Sequence, residues 1–270
     1  MSDTSIEARI ALVGNPNAGK TTLFNAITGQ NQKVGNYAGA TVSRRSGTFF
    51  TPHGHKFELI DLPGAYSLDP NSPDEKITRD VLIGDQKGEP PPDLVLCVLD
   101  ATHLERHLYL LLQVIDLGYP VVAALNKIDS AEAQGLRLDL TALSESFGVP
   151  FVAMSAVNER GITQLKHALR HPFPSPVGRL WKGPAELEEA IEKSTKLAET
   201  KEEKNPAASG LIAVADEGPE AKEFIQKTRF EFIHRAVESG LQRPDEESLA
   251  FTDRIDAHAL HPVRGWLIFT

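Results

Sequence analysis

The sequence predicts an α/β fold, a mostly parallel sheet with helices on both faces, followed by a small all-α domain. Three observations predict it. Short apolar runs near 10–13, 57–61, 94–99, 121–125 and 151–153 alternate with helix-like stretches, the mark of a parallel sheet covered on both sides. A Gly-rich turn, Gly14 to Thr21, separates the first run from a helical pattern. After residue 170 the prolines of His171-Pro-Phe-Pro-Ser-Pro176 end regular structure, and helical periodicity resumes at Pro184.

The first element is the strand Ile10-Ala-Leu-Val13, which enters Gly14-Asn15-Pro16-Asn17-Ala18-Gly19-Lys20-Thr21-Thr22 and opens a helix at Leu23-Phe-Asn-Ala-Ile27. This is a G-x-x-x-x-G-K-[ST] loop. Backbone N–H groups and the positive end of the helix dipole converge there on a phosphate site. Lys20 reaches the β- and γ-phosphates and the Thr21 hydroxyl takes a Mg²⁺ position. A nucleoside triphosphate is the expected ligand. A tight strand-to-helix turn would explain a looser motif, but here the full spacing and the strand–helix setting agree.

Gly47-Thr-Phe-Phe-Thr51, Pro52-His-Gly-His55 and Lys56-Phe-Glu-Leu-Ile60 read as a hairpin, so an antiparallel edge strand is expected. Its second strand ends in Asp61-Leu-Pro-Gly64, a D-x-x-G in which Asp61 can hold the Mg²⁺ shell and the Gly64 N–H can meet the γ-phosphate. Thr41, in the polar stretch Gly35 to Val42, is placed to close over the metal, and the two segments are candidate switches.

The run Asp93 to Asp100 is a buried strand whose Cys97, the single cysteine, reads as core filler in a reducing cytosol. The next strand, Val121-Val-Ala-Ala-Leu125, leads into Asn126-Lys127-Ile-Asp129 at its carboxyl end, where ligands of open α/β sheets bind. The Asp129 carboxylate can accept hydrogen bonds from guanine N1–H and the exocyclic amine. Adenine offers no such pair, and an unpartnered desolvated polar group costs roughly 1–3 kcal/mol. Finally Phe151-Val-Ala-Met-Ser155 reads as a short strand, and the backbone at Ser155, Ala156 and Val157 is a cradle for guanine O6.

Domain boundaries are expected at 1–172 for the nucleotide-binding domain, 173–260 for the helical domain and 261–270 for the start of a membrane-penetrating segment. In the helical part, Pro184 opens a helix with Leu187, Ile191 and Leu197 on its apolar side. A polar interruption is expected from Asn205 to Pro219, then a helix with Ile225, Phe232 and Val237 that Gly240 ends, then a third from Asp245 to Leu260. The run Val263 to Thr270 turns apolar but is shorter than the roughly 20 residues a spanning helix needs.

Twenty-eight Lys and Arg against 37 Asp and Glu give a net charge of −9, which argues against a nucleic-acid partner. The start, Met1-Ser-Asp-Thr-Ser, lacks the basic and apolar stretches of a signal peptide.

In this order the elements look like a Ras-like P-loop GTPase domain. The finer wording resembles the cytoplasmic domain of the bacterial ferrous iron transport protein B family: G-N-P-N-A-G-K-T-T-L-F-N-A-I-T-G at 14–29, V-G-N-Y-A-G-A-T-V at 34–42, D-L-P-G-A-Y-S-L at 61–68, and Leu104-Glu-Arg with Leu108-Tyr-Leu after Asp100-Ala101. The resemblance covers the chain to about residue 170 and only in outline beyond. It implies a GTPase that binds GTP and GDP with Mg²⁺, joined through a helical, nucleotide-dissociation-inhibitor-like domain to a membrane region that moves Fe²⁺. It also implies a cytoplasmic domain at the bacterial inner membrane, a small accessory protein of the same transport system, and homo-oligomers. Catalytic roles fall on Lys20, Thr41 and Asn17, the last by coordinating K⁺ beside the phosphates with carbonyls near Gly35 to Tyr37.

One departure matters for rate. Ras-like domains often place a water-orienting Gln just beyond D-x-x-G, whereas this chain has Ala65, so slow intrinsic hydrolysis is expected. Arg44 and Arg45 flank the first switch and read as exposed strand charges rather than as an arginine finger. His103 and His107 stand one helical turn apart, and His53 and His55 sit on a hairpin tip; they read as solvent-facing, and the resembled family commonly carries Asn at 103 and 107. Two functions stay open: a regulatory GTPase module attached to an iron-transporting membrane region, or a free-standing GTPase of the ribosome or RNA-processing type. An ATPase is more distant, because Asp129 has no partner on adenine.

Overall fold

The computed structural model describes residues 5–29, 31–169, 173, 177–201, 203 and 206–242, with the side chain of Gln242 left out. The expected third helix at 245–260, the segment 261–270 and most of the linker 171–176 lie outside the described residues. A seven-stranded sheet has the order β2-β3-β4-β1-β5-β6-β8, built from β1 (Ala8–Gly14), β2 (Gln32–Asn36), β3 (Ser43–Phe50), β4 (Lys56–Asp61), β5 (Leu94–Asp100), β6 (Val121–Asn126) and β8 (Phe151–Ala153). All neighbours pair parallel except β2 with β3 and β3 with β4. The expected hairpin is present, but the edge belongs to β2, which lies partly inside the stretch read as a switch loop.

Alternate residues of the central strands face opposite layers. Ile10 and Leu12 point to Leu23, Phe24 and Ile27 of α1 (Lys20–Thr28) and to Leu165 of α6 (Ile162–Ala168). Ala11 and Val13 face α2 (Pro73–Ile83) and α3 (Leu104–Asp116). With both faces covered, the strands read as continuous apolar runs. Cys97 is buried there, and burial pushes its thiol up to about 12. Two short helices, α4 (Ile128–Ala133) and α5 (Leu140–Phe147), complete this half, and Asp139 caps α5 by accepting the Thr141 and Ala142 N–H groups.

The remaining helices are α7 (Ala185–Thr200), α8 (Pro206–Asp216) and α9 (Pro219–Gly240). Two corrections follow. Residues 206–216, expected as a polar interruption, form a helix; a Cβ at Gly210 would stand 2.5 Å from the Thr195 backbone nitrogen, so the small residues serve close packing of α8 on α7. Leu197 is exposed, and Ala198 takes the inward position. The apolar side of these helices, Leu187, Ile191, Leu211, Ile225 and Ile233, joins the core beneath α2 and α3. The chain leaves α9 as β9 (Leu241–Gln242), paired antiparallel with β7 (Arg137–Leu138).

Between the halves lies a buried ion pair. Arg229 of α9 donates from Nε and Nη2 to Asp116 of α3 at 3.0 and 2.9 Å, and the buried Trp181 indole donates to the same carboxylate. Burial pushes the Asp116 carboxyl up, while Arg229 pulls it back down. Among the described residues no helix is long and apolar enough to cross a membrane.

Candidate functional site

Five loops meet at the carboxyl ends of β1, β4, β5, β6 and β8. The first, from Gly14 to Lys20, is shaped by residues that tolerate its turns. Asn17 has φ +65° and Gly19 φ +92°. A Cβ at Gly14 would lie 2.5 Å from the Val98 carbonyl oxygen, and one at Gly19 would lie 2.2 Å from Asn126 Nδ2, so only glycine fits at either position. Gly19 is the N-cap of α1 and offers no capping side chain, which leaves the first-turn N–H groups free for an anion. Asn15 is fully buried, and both its amide atoms lack a hydrogen-bond partner among the described residues.

Lys20 and Asp61 face each other electrostatically. Burial pushes the Lys20 ammonium down and the Asp61 carboxyl up, and each charge partly offsets the shift of the other. Asp61 Oδ1 is buried without a hydrogen-bond partner among the described residues. A buried carboxylate oxygen with no partner among the described residues, beside a loop whose exposed Thr21 hydroxyl makes no hydrogen bond among them, fits a hard oxygen-seeking cation such as Mg²⁺. The following turn lies against the phosphate loop: a Cβ on Gly64 would be 3.2 Å from Pro16, and the Ala65 N–H donates to the Gly14 carbonyl at 3.3 Å. Glu75, buried at the start of α2, accepts from the Tyr66 and Asn71 N–H groups and holds the rest of this segment.

At the other end Asn126 is a strut. Its Nδ2 donates to the Ala18 carbonyl at 2.8 Å and its Oδ1 accepts the Ala156 N–H at 2.9 Å, joining the first, fourth and fifth loops. Lys127, at φ +60°, bonds Asp100 at 2.6 Å. Burial pushes the Asp100 carboxyl up, but Lys127 and Thr102 outweigh it and leave it below the usual range. Asp129 accepts from Asn158 Nδ2 at 2.8 Å. Ser155 is buried and Val157 is 80% exposed at the rim.

Thr41 is exposed between β2 and β3 and makes no side-chain hydrogen bond among the described residues, and Thr22 is exposed too. The loop of Thr41 is held instead by Tyr37, buried in the core, its hydroxyl without a partner among the described residues and its acidity suppressed by burial and by Glu89. Two expectations change here. Arg44 is not a free strand charge: it forks onto Glu89 at 2.5 and 3.1 Å, so it is committed away from the phosphate site. His107 is buried, with Nδ1 unpartnered among the described residues, whereas His103 is exposed and bonded to Thr102. Sequence reading missed the side-chain roles of Asp100, Asn158 and Glu75, and gave Tyr37 only as a limit of the K⁺-site carbonyls, not as a buried ring. Asp100 alone carried a signal, as the acid ending a buried strand.

A family model for ferrous iron transport protein B matches residues 8–169. The Fe(2+) transporter FeoB of Salmonella typhimurium is 49% identical over 168 residues, 60% of this chain and 21% of that protein. The chain thus spans about a fifth of the length of the curated relatives it matches. Among solved structures, the cytosolic domain of L. pneumophila FeoB matches with TM-score 0.79 and 34% identity, covering 87% of this chain and 100% of that one. The cytosolic domain of the T. maritima FeoB iron transporter in apo form matches with TM-score 0.79 and 31% identity, covering 87% and 99%. That T. maritima domain is also solved in GDP and GMPPNP forms.

Proposed function

We propose, from the premise that this chain belongs to the ferrous iron transport protein B family, that it is the GTP-binding and slowly GTP-hydrolysing part of a membrane Fe²⁺ transporter. Its nucleotide state gates uptake from the cytoplasmic side of the inner membrane. The observation that carries the reading is the strut at Asn126, which holds the phosphate loop at Ala18 and the base cradle at Ala156 to one side chain, so triphosphate and purine are gripped by a single rigid unit. The GDP and GMPPNP forms of the T. maritima domain support nucleotide binding here.

Lys20 pairs with the β- and γ-phosphates, the first-turn N–H groups of α1 cradle them, and Asp129 reads guanine. Thr21, Asp61 and Thr41 would hold Mg²⁺, which when bound neutralises phosphate charge. Water attacks the γ-phosphorus, the bond to the β–γ bridging oxygen breaks, and GDP and phosphate leave. Ala65 is fully buried and carries no group to orient that water. Asn17 is exposed on the left-handed turn of the phosphate loop and would hold K⁺, which supplies the charge stabilisation an arginine finger gives elsewhere. Turnover measured in KCl and in NaCl at equal ionic strength, with Asn17→Ala alongside, tests this: faster turnover in KCl, lost in the variant, is expected, and equal rates refute the potassium role.

A further inference from the structure

We propose that Asn158 is a positioning residue for base recognition: it fixes the Asp129 carboxylate in the orientation that reads guanine. The proposal rests on the guanine reading given above and deepens it. Asn158 Nδ2 donates to Asp129 Oδ2 at 2.8 Å, and the Asn158 N–H is itself held by Ser155 Oγ at 3.4 Å.

The loop that carries Asn158 is built to stay where it is. Ser155 and Arg160 close it as an antiparallel bridge, with the Ser155 N–H donating to the Arg160 carbonyl at 3.0 Å. Glu159 at φ +53° and Gly161 at φ +83° make the return turn, and a Cβ at Gly161 would stand 2.4 Å from the Ala153 carbonyl oxygen. The Arg160 guanidinium grips Glu132 with two bonds of 2.8 and 3.0 Å, and Glu132 lies one turn beyond Asp129 on α4. On the inner side the Ile128 N–H donates to the Met154 carbonyl at 3.2 Å. The loop is thereby tied to α4 at both rims, and Asn158 is the side chain that reaches the reading carboxylate.

An ionised carboxylate offers about four lone-pair sites, of which guanine N1–H and the exocyclic amine take two, so Asn158 and the base can be served together. Without Asn158 the terminal torsion of Asp129 is soft and the carboxylate samples orientations that meet only one base donor. Such a change weakens a two-point contact more than a one-point contact. A loop that was merely supported by Asn158 would lose both alike.

Competition against a fluorescent GDP, run with GDP and with inosine diphosphate, separates these. Inosine keeps N1–H but lacks the exocyclic amine. Asn158→Ala is expected to weaken GDP about fivefold to tenfold and inosine diphosphate much less, lowering the preference for GDP about threefold. Asn158→Gln restores part of the preference, and Arg160→Ala, which loosens the loop but keeps the amide, lowers both affinities together. An Asn158→Ala chain that binds both nucleotides as the wild type does, or that loses both by one factor, overturns the proposal. A wild-type chain that holds ADP as firmly as GDP overturns the guanine reading itself, and this proposal with it.

Discussion

Replacing Arg229 with Met removes one partner of a buried ion pair while keeping most of its packing volume. The Asp116 side chain is 1% exposed and that of Arg229 8%, so neither charge falls back on bulk water. The variant loses the 3.0 and 2.9 Å bonds from Arg229 and leaves Asp116 with the Trp181 indole as its remaining donor. Breaking a buried pair from one side costs about 3–5 kcal/mol, because the other charge stays desolvated. The loss has a pH signature. Burial already raises the Asp116 carboxyl, and without Arg229 it rises further above its unfolded value. A group raised in the folded state favours folding below its unfolded pKa and loses that advantage as pH climbs through the folded one, so the deficit of the variant is full at neutral pH and shrinks on acidification. Urea unfolding followed by far-UV circular dichroism from neutral to mildly acidic pH measures both effects. Asp116→Asn combined with Arg229→Met should recover part of the loss, since Asn carries no charge and its Oδ1 still accepts the buried Trp181 indole N–H. A single variant within about 1 kcal/mol of wild type, or a deficit that ignores pH, would refute the reasoning.

Gly210→Ala tests the α7–α8 contact: helix propensity alone predicts a gain of about 1 kcal/mol, but a Cβ placed 2.5 Å from the Thr195 backbone nitrogen forces the helices apart, so a net loss of about 1–3 kcal/mol in thermal or urea unfolding is expected. Cys97, buried and pushed up to about 12, should resist a thiol reagent at mildly alkaline pH in the native chain and react at once after unfolding, as an absorbance time course will report. His107 is held down to about 4 from 6.5, first by burial and then, net of Asp100, by Arg106 and His103. Its depressed folded value means the unfolded chain binds the proton first, so stability falls as pH drops from 6.5 towards 4 by about 2 kcal/mol, and His107→Asn should flatten that part of the profile.

Elements whose residues are determined by burial on both faces were legible. Ile10 to Val13, Leu94 to Leu99 and Val121 to Leu125 are apolar because helices cover both sides of the sheet. β2 was not, because Gln32-Lys-Val-Gly-Asn36 sits on an exposed edge where Val34 is 71% accessible and ladder bonds to β3, rather than apolar burial, hold it. The helix α8 was hidden for another reason: Pro206, Ser209 and Gly210, with Gly218 and Pro219 beyond, read as loop punctuation around a helix-forming Ala-rich run, yet the smallness of Gly210 is what lets α8 touch α7. In the site, the motif residues were legible as strings, but their mutual support was not. Nothing in the local sequence says that Arg44 meets Glu89 or that Asn158 reaches Asp129, since those partners are brought together by the fold across 45 and 29 positions.

The most direct test of the account is calorimetric titration of the magnesium-supplemented chain with GDP, GMPPNP and ADP. It predicts one site per chain that binds both guanine nucleotides, rejects ADP by at least about a hundredfold, and loses that preference in Asp129→Ala. Equal affinity for ADP, or a guanine preference that survives the loss of Asp129, would contradict it.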